Sequence, residues 1–196
     1  MKKQILIAIK LFTLFTILLG VIYPLVITGF AQLLFPDKAN GSLIVSDNKV
    51  VGSKLIGQNF TSEFYFSSRP SAIEYNPILS GGSNLGPTSK KLKQLVDDRK
   101  LLFIKSNRLA GNVPIPSEML FASASGLDPH ISPEAATLQV ERIAEARKFD
   151  SIQKQQLLRS IEELTEVPQF SFLGEDRINV LLLNIELNKL GGKSAD

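Results

Sequence analysis

Cysteine is absent from the 196 residues, and histidine occurs once. Without cysteine there is no disulfide framework, no thiolate nucleophile and no thiolate-ligated metal centre, so the chain relies on packing alone. One histidine among scattered carboxylates falls short of the three or four ligands that a zinc site normally takes. Low-complexity runs and internal repeats are missing as well, which sets aside solenoids and collagen-like arrays. An excess of one charge sign is also lacking in most of the chain. The formal net charge is +3, yet Lys2, Lys3 and Lys10 precede every acidic residue, leaving 19 basic against 19 acidic in the remainder. A charge-balanced body argues against a nucleic-acid partner, whose phosphates call for a net basic surface or stripe.

Charge is missing altogether between Lys10 and Asp37, where Leu, Ile, Val and Phe dominate. A helix rises about 1.5 Å per residue and the bilayer core is roughly 30 Å thick, so about 20 apolar residues span it. Residues 11–35 exceed that length and read as a transmembrane helix. A buried helix of a soluble core would show a polar stripe, whereas Thr13, Thr16 and Thr28 are the main relief in this one. Lys2 and Lys3, with the small residues Gly29 and Ala31, also suit a cleavable signal peptide, but the apolar run is longer than the roughly 7 to 15 residues expected there. Lysines before the span, and only the cancelling pair Asp37 and Lys38 after it, place the N-terminus in the cytoplasm by the positive-inside rule. Pro24 removes a backbone donor within the span and predicts a kink.

Three regions follow: a cytoplasmic start (1–10), the membrane helix (11–35) and one extracytoplasmic soluble domain (36–196). The fold class is α+β, with several helices and a small sheet. A hairpin is expected over 41–52, with Ser46, Asp47 and Asn48 as its turn. Phe64, Tyr65 and Phe66 form an aromatic knot that reads as core. Gly81 and Gly86 have the glycine spacing of a phosphate-binding loop, but Pro87 stands where that motif needs lysine, so 76–89 reads as turn chemistry. A helix capped near Thr88 or Ser89 carries Leu92, Leu95, Val96, Leu102 and Phe103 on one face, and Lys90, Lys91, Lys93 and Lys100 on the other. Residues 134–149 read as one amphipathic helix with Arg142 and Arg147 at its edges, and 151–164 as another. A short strand at 170–173, ended by Gly174, leads to a last helix through Leu190, capped by Asp176 and terminated by Gly191 and Gly192. Asn179 and Asn184 in that very apolar helix hint at a buried or partner-covered face.

The most unusual soluble stretch is SASGLDPHISP at 123–133, which holds the sole histidine. Ser125, His130 and an acid raise the possibility of a serine hydrolase. The glycines are not at nucleophile-elbow spacing, however, and triads are usually assembled from distant segments. The better reading is a polar loop in which Asp128 and His130 satisfy backbone groups beside a helix start, with Ser132 as cap and Pro133 in the first turn.

The segments Gly52 to Phe60, Tyr65 with Arg69, Pro70, Ser71 and Ala72, GGSNLGPTS at 81–89, SASGLDPHISP at 123–133 and NVLLLN at 179–184 together resemble the KdpC family, the C subunit of the ATP-driven Kdp potassium uptake pump. The likeness covers essentially the whole chain. It implies a bacterial plasma-membrane complex in which a channel-like subunit binds potassium and a P-type ATPase subunit hydrolyses ATP. A small single-span subunit and this single-span subunit complete the assembly. The resemblance marks Arg69, Asn84, Ser125, Gly126, Asp128, His130, Ser132 and Asn179 as motif residues and candidate partner contacts. It further implies a catalytic chaperone that raises the ATP affinity of the catalytic subunit through a transient complex with nucleotide, with no cofactor or metal held by this chain itself. An outward domain conflicts with direct contact to cytoplasmic ATP. Either the effect passes through the membrane helices or the orientation is reversed; the first needs only a shared two-state element. The residues agree with a non-catalytic accessory role: there is no aspartyl-phosphorylation motif such as DKTG, no complete P-loop and no TVGYG-like filter. A membrane-anchored hydrolase and a free-standing exported binding domain are the alternatives.

Overall fold

A computed structural model describes residues 1–46 and 48–191; Asp47 of the expected hairpin turn and Gly192 of the expected terminator lie outside the described residues. The chain divides into two compact units, Met1–Ser53 and Lys54–Asp196.

The first unit is dominated by helix α1, Lys2–Leu34, which is long and apolar enough to cross a membrane and has none of its apolar window buried. An all-round apolar helix with nothing packed on it needs lipid or a partner helix as its surroundings. The helix continues through Pro24, and just before it, over Leu18–Ile22, the hydrogen-bond ladder widens to the π pattern. Phe35 leaves the helical conformation, and a single turn, α2 (Pro36–Ala39), follows. Asn40 closes it by exchanging amide hydrogen bonds with Gln32 at 3.2 Å and donating to the Pro36 carbonyl at 2.8 Å. Strands β1 (Leu43–Ser46) and β2 (Lys49–Ser53) then pair antiparallel, with an irregularity at Ile44 and Val45, so the hairpin sits in the same unit as the span.

The second unit contains α3 (Lys90–Ser106), β3 (His130–Ile131), α4 (Pro133–Thr137), α5 (Val140–Arg147), α6 (Ser151–Glu163), β4 (Ile178–Asn179) and α7 (Val180–Lys189). Its core gathers Phe66, Met119, Ile131, Ile143, Leu157, Ile178, Leu183 and Leu187. Each such side chain contributes about 1.5–3 kcal/mol when fully buried. Ser89 caps α3, Ser132 caps α4 with Pro133 in its first turn, and Asp150 with Gln153 forms a capping box on α6.

Five expectations are corrected, the fifth at two arginines. Residues 134–149 are two helices, because the backbone ladder slips at Leu138 and Gln139, where the Gln139 amide donates to the Ala136 carbonyl at 3.0 Å; the Gln139 side chain accepts from the Ser67 amide. Leu102 points outward at 67% exposure, and Arg99 is half-buried on the inner side, donating to the Leu120 carbonyl at 2.9 Å. Residues 170–173 form a turn with left-handed backbone at Phe170 and Ser171, not a strand. The last helix is capped by Asn179, whose side chain accepts from the Leu182 amide, and Asp176 lies upstream of the β3–β4 pairing.

Arg142 and Arg147 are not at helix edges but 7% and 2% exposed. They hold the segment 63–67, which begins as a turn closed by the Tyr65 amide on the Ser62 carbonyl at 3.2 Å and joins no strand. Buried backbone groups need partners, and here helix side chains supply them. Arg142 donates to the carbonyls of Glu63 and Tyr65, and Arg147 to that of Phe64 at 2.8 Å. Asn184 accepts from the Phe66 amide at 2.8 Å and donates to its carbonyl at 3.0 Å, while Gln139 accepts from the Ser67 amide at 2.8 Å. The Arg147 guanidinium also lies 5.0 Å from the Tyr65 ring centroid. Burial lowers the pKa of both arginines, that of Arg142 to about 10.

Candidate functional site

The loop 123–133 is fixed from both ends by backbone pairing. The Gly57 amide donates to the Leu127 carbonyl at 2.7 Å and the Gly81 amide to the Ser125 carbonyl at 2.9 Å. Downstream, His130 pairs with Asn179 and Ile131 with Ile178, and the Val180 amide donates to the Pro129 carbonyl at 2.9 Å. Gly126, at φ +69°, permits the turn between these anchors.

Asp128 is the hub. One carboxylate oxygen accepts from the His130 amide at 3.0 Å, with His130 Nδ1 at 3.4 Å, and the other accepts from Arg69 Nη1 at 2.6 Å. Burial pushes its pKa up, but the hydrogen bonds from His130 and the charge and hydrogen bond of Arg69 outweigh it and hold the carboxyl below its usual range. Tyr75 donates its hydroxyl to the Arg69 carbonyl. Burial, reinforced by the nearby Asp128 charge, pushes that phenol up to about 12 against the opposing Ser68 hydrogen bond and Arg69 charge. Arg69 Nε is buried without a partner.

Two clefts meet at this cluster. One, of about 780 Å³, is lined by Arg69, Glu118, Asp128, His130, Ser132 and the chain from Val167 to Arg177 apart from its tip residues. The other, of about 710 Å³, is lined by Leu55, Ile56, Arg69, Asp128 and the Ser125 side of the loop. Ser125 and His130 therefore face different clefts. The Ser125 hydroxyl accepts from the Leu127 amide at 3.1 Å, and no hydrogen bond joins it to His130. Among the described residues no group of three or more His, Cys, Asp or Glu is placed to hold a metal ion. The arrangement is a clasp in which Asp128 joins Arg69 to His130, while Ser125 bonds within its own turn.

The family model described as KdpC, the K+-transporting ATPase c chain, matches residues 5–189. The chain belongs to the KdpC family. The potassium-transporting ATPase KdpC subunit of Geotalea uraniireducens is 47% identical over 192 residues, covering 96% of this chain and 98% of that protein. The Koribacter versatilis subunit of the same name is 46% identical over 190 residues, covering 96% and 95%, and that of Mycobacterium tuberculosis 43% over 192 residues, covering 97% and 100%.

In this KdpC-family chain the structure brings Arg69, Asp128 and His130 into one cluster, with Asn179 paired to His130 and Ser132 capping α4 just after β3. Asn179 donates to the Lys54 carbonyl at 2.8 Å, and Ser132 donates its amide to Glu118 at 3.2 Å. Ser125 lines the other cleft, Gly126 is buried beside it, Asn84 is exposed at φ +53°, and Pro24 belongs to the other unit. Sequence reading passed over Tyr75 and Glu118 and placed the two buried arginines at helix edges. A signal existed for Arg147, which follows Ile143 by four residues on the stripe of Ala136, Val140 and Ile143.

Proposed function

We propose that this chain is the non-catalytic C subunit of a potassium-transporting ATPase, anchored by α1 with its N-terminus in the cytoplasm and the unit after residue 53 outside. It assembles with a potassium-binding channel-like subunit, a P-type ATPase subunit and a small single-span subunit. The end-to-end likeness to proteins named as KdpC subunits of potassium-transporting ATPases carries this reading. The unburied apolar helix supports the anchor, and the committed polar atoms of the Asp128 cluster support a recognition or structural role for the motif. The chain acts as a catalytic chaperone: it raises the pump's ATP affinity through helix contacts in the membrane, without itself holding nucleotide. The test compares potassium-stimulated ATP hydrolysis of the assembled pump with and without this chain. A higher KM for ATP in its absence is expected, and an assembled pump with unchanged potassium-stimulated hydrolysis and KM overturns the reading.

A further inference from the structure

Residues 167–173 expose what a water-facing turn normally hides. Val167, Phe170, Phe172 and Leu173 are 73%, 81%, 75% and 52% exposed, and the two rings lie 6.5 Å apart. The turn is tightly built. Gln169 and Leu173 exchange backbone hydrogen bonds at 3.1 and 2.9 Å, and the Ser171 amide donates to the Pro168 carbonyl at 3.1 Å. At the base, Glu166 and Arg177 exchange backbone hydrogen bonds at 2.8 and 3.1 Å and share a salt bridge at 3.0 Å. Phe170 and Ser171 both sit in the left-handed region, at φ 54° and 65°. An uncharged aromatic cluster held out of the body marks a docking surface.

The surrounding charge selects the occupant. Between residues 162 and 177 stand Glu162, Glu163, Glu166, Glu175 and Asp176 against Arg177 alone, and Arg177 is committed to Glu166. Such a collar repels an anionic bilayer surface. A second copy would set the same acids against each other. The complementary surface is a protein with an apolar socket and a basic rim. We propose that residues 167–173 are a docking tip that seats in such a socket on one of the large membrane subunits of the pump, an inference that rests on the reading of the chain as a pump subunit.

Tagged full-length chain purified in mild detergent with its complex provides the test. Phe170→Ser with Phe172→Ser should cut retention of the large subunits at least about tenfold, as expected when aromatic anchors are removed. Glu175→Gln with Asp176→Asn should weaken retention less and flatten its decline with added salt. In native membranes, Phe172→p-benzoylphenylalanine should crosslink on irradiation to a large subunit. Crosslinking to lipid, to a second copy or to nothing overturns the proposal, as does wild-type retention and salt response in both double variants. A wild-type chain that retains no pump subunits overturns the subunit reading and this tip with it, whereas full retention by the variants overturns the tip alone.

Discussion

At the scale of single residues, two glycines show how little space the motif loop leaves. A Cβ on Gly57 would sit 2.6 Å from the Asp128 carbonyl oxygen, and one on Gly126 would sit 2.5 Å from Ile73 Cγ1 in a backbone conformation already unfavourable for L-residues. Gly57→Ala or Gly126→Ala should destabilise the fold by about 1–3 kcal/mol, as overpacking does, measurable as a lowered midpoint in urea. Asp128 gives a pH-dependent prediction. Its folded pKa is depressed, so its contribution is whole above the ordinary carboxylate value of about 3.9 and is lost as the pH falls through its folded pKa. The Arg69 and Asp128 side chains are 24% and 29% exposed, so solvent screening keeps that contribution modest. Asp128→Asn should cost about 0.5–1.5 kcal/mol near neutrality, and the gap from the wild type should close in acid. Thermal midpoints recorded across the acid range would check it. His130→Ala should weaken the same clasp while leaving the bonds of Ser125 as they are.

At the scale of elements, the irregular segment 63–67 depends on side chains where a strand would use a neighbour's backbone. Asn184→Leu keeps roughly the volume but orphans both the amide and the carbonyl of Phe66, each at about 1–3 kcal/mol. Arg147→Met should likewise expose its loss at Phe64, and urea denaturation would register either change. Much of this layer was legible beforehand. The hairpin, α3, α6 and the caps at Ser89 and Ser132 follow from turn residues, apolar period and hydroxyl position, all of which act locally. What escaped notice depends on distant partners. Gln139, between α4 and α5, places its side chain on the amide of Ser67, 72 residues earlier. Asn179 takes the cap from Asp176 because Ile178 is already paired to Ile131. The clasp residues Arg69, Asp128 and His130 were visible as motif letters, but their convergence on one carboxylate, with Tyr75 behind it, is a property of the folded loop.

At the scale of the whole molecule, the absence of cysteine makes topology directly testable. Lys100, exposed on α3, and Lys3, at the start of α1, can each be replaced by the chain's sole thiol. A membrane-impermeant maleimide should label the Lys100→Cys chain in intact cells and the Lys3→Cys chain only after the membrane is opened; the reverse pattern would turn the proposed orientation around. The widened ladder at Leu18–Ile22 carries a consequence for the rod itself. A π stretch accommodates an extra residue within an α-helix, and each residue advances a helix by about 100°. Deleting one residue there should return the ladder to the regular α pattern with the two halves still in phase, whereas deleting one from the α-helical part on either side should swivel everything beyond it by roughly a quarter turn. The rod would be equally oily in both cases, but only the second change would turn the face of one half away from that of the other.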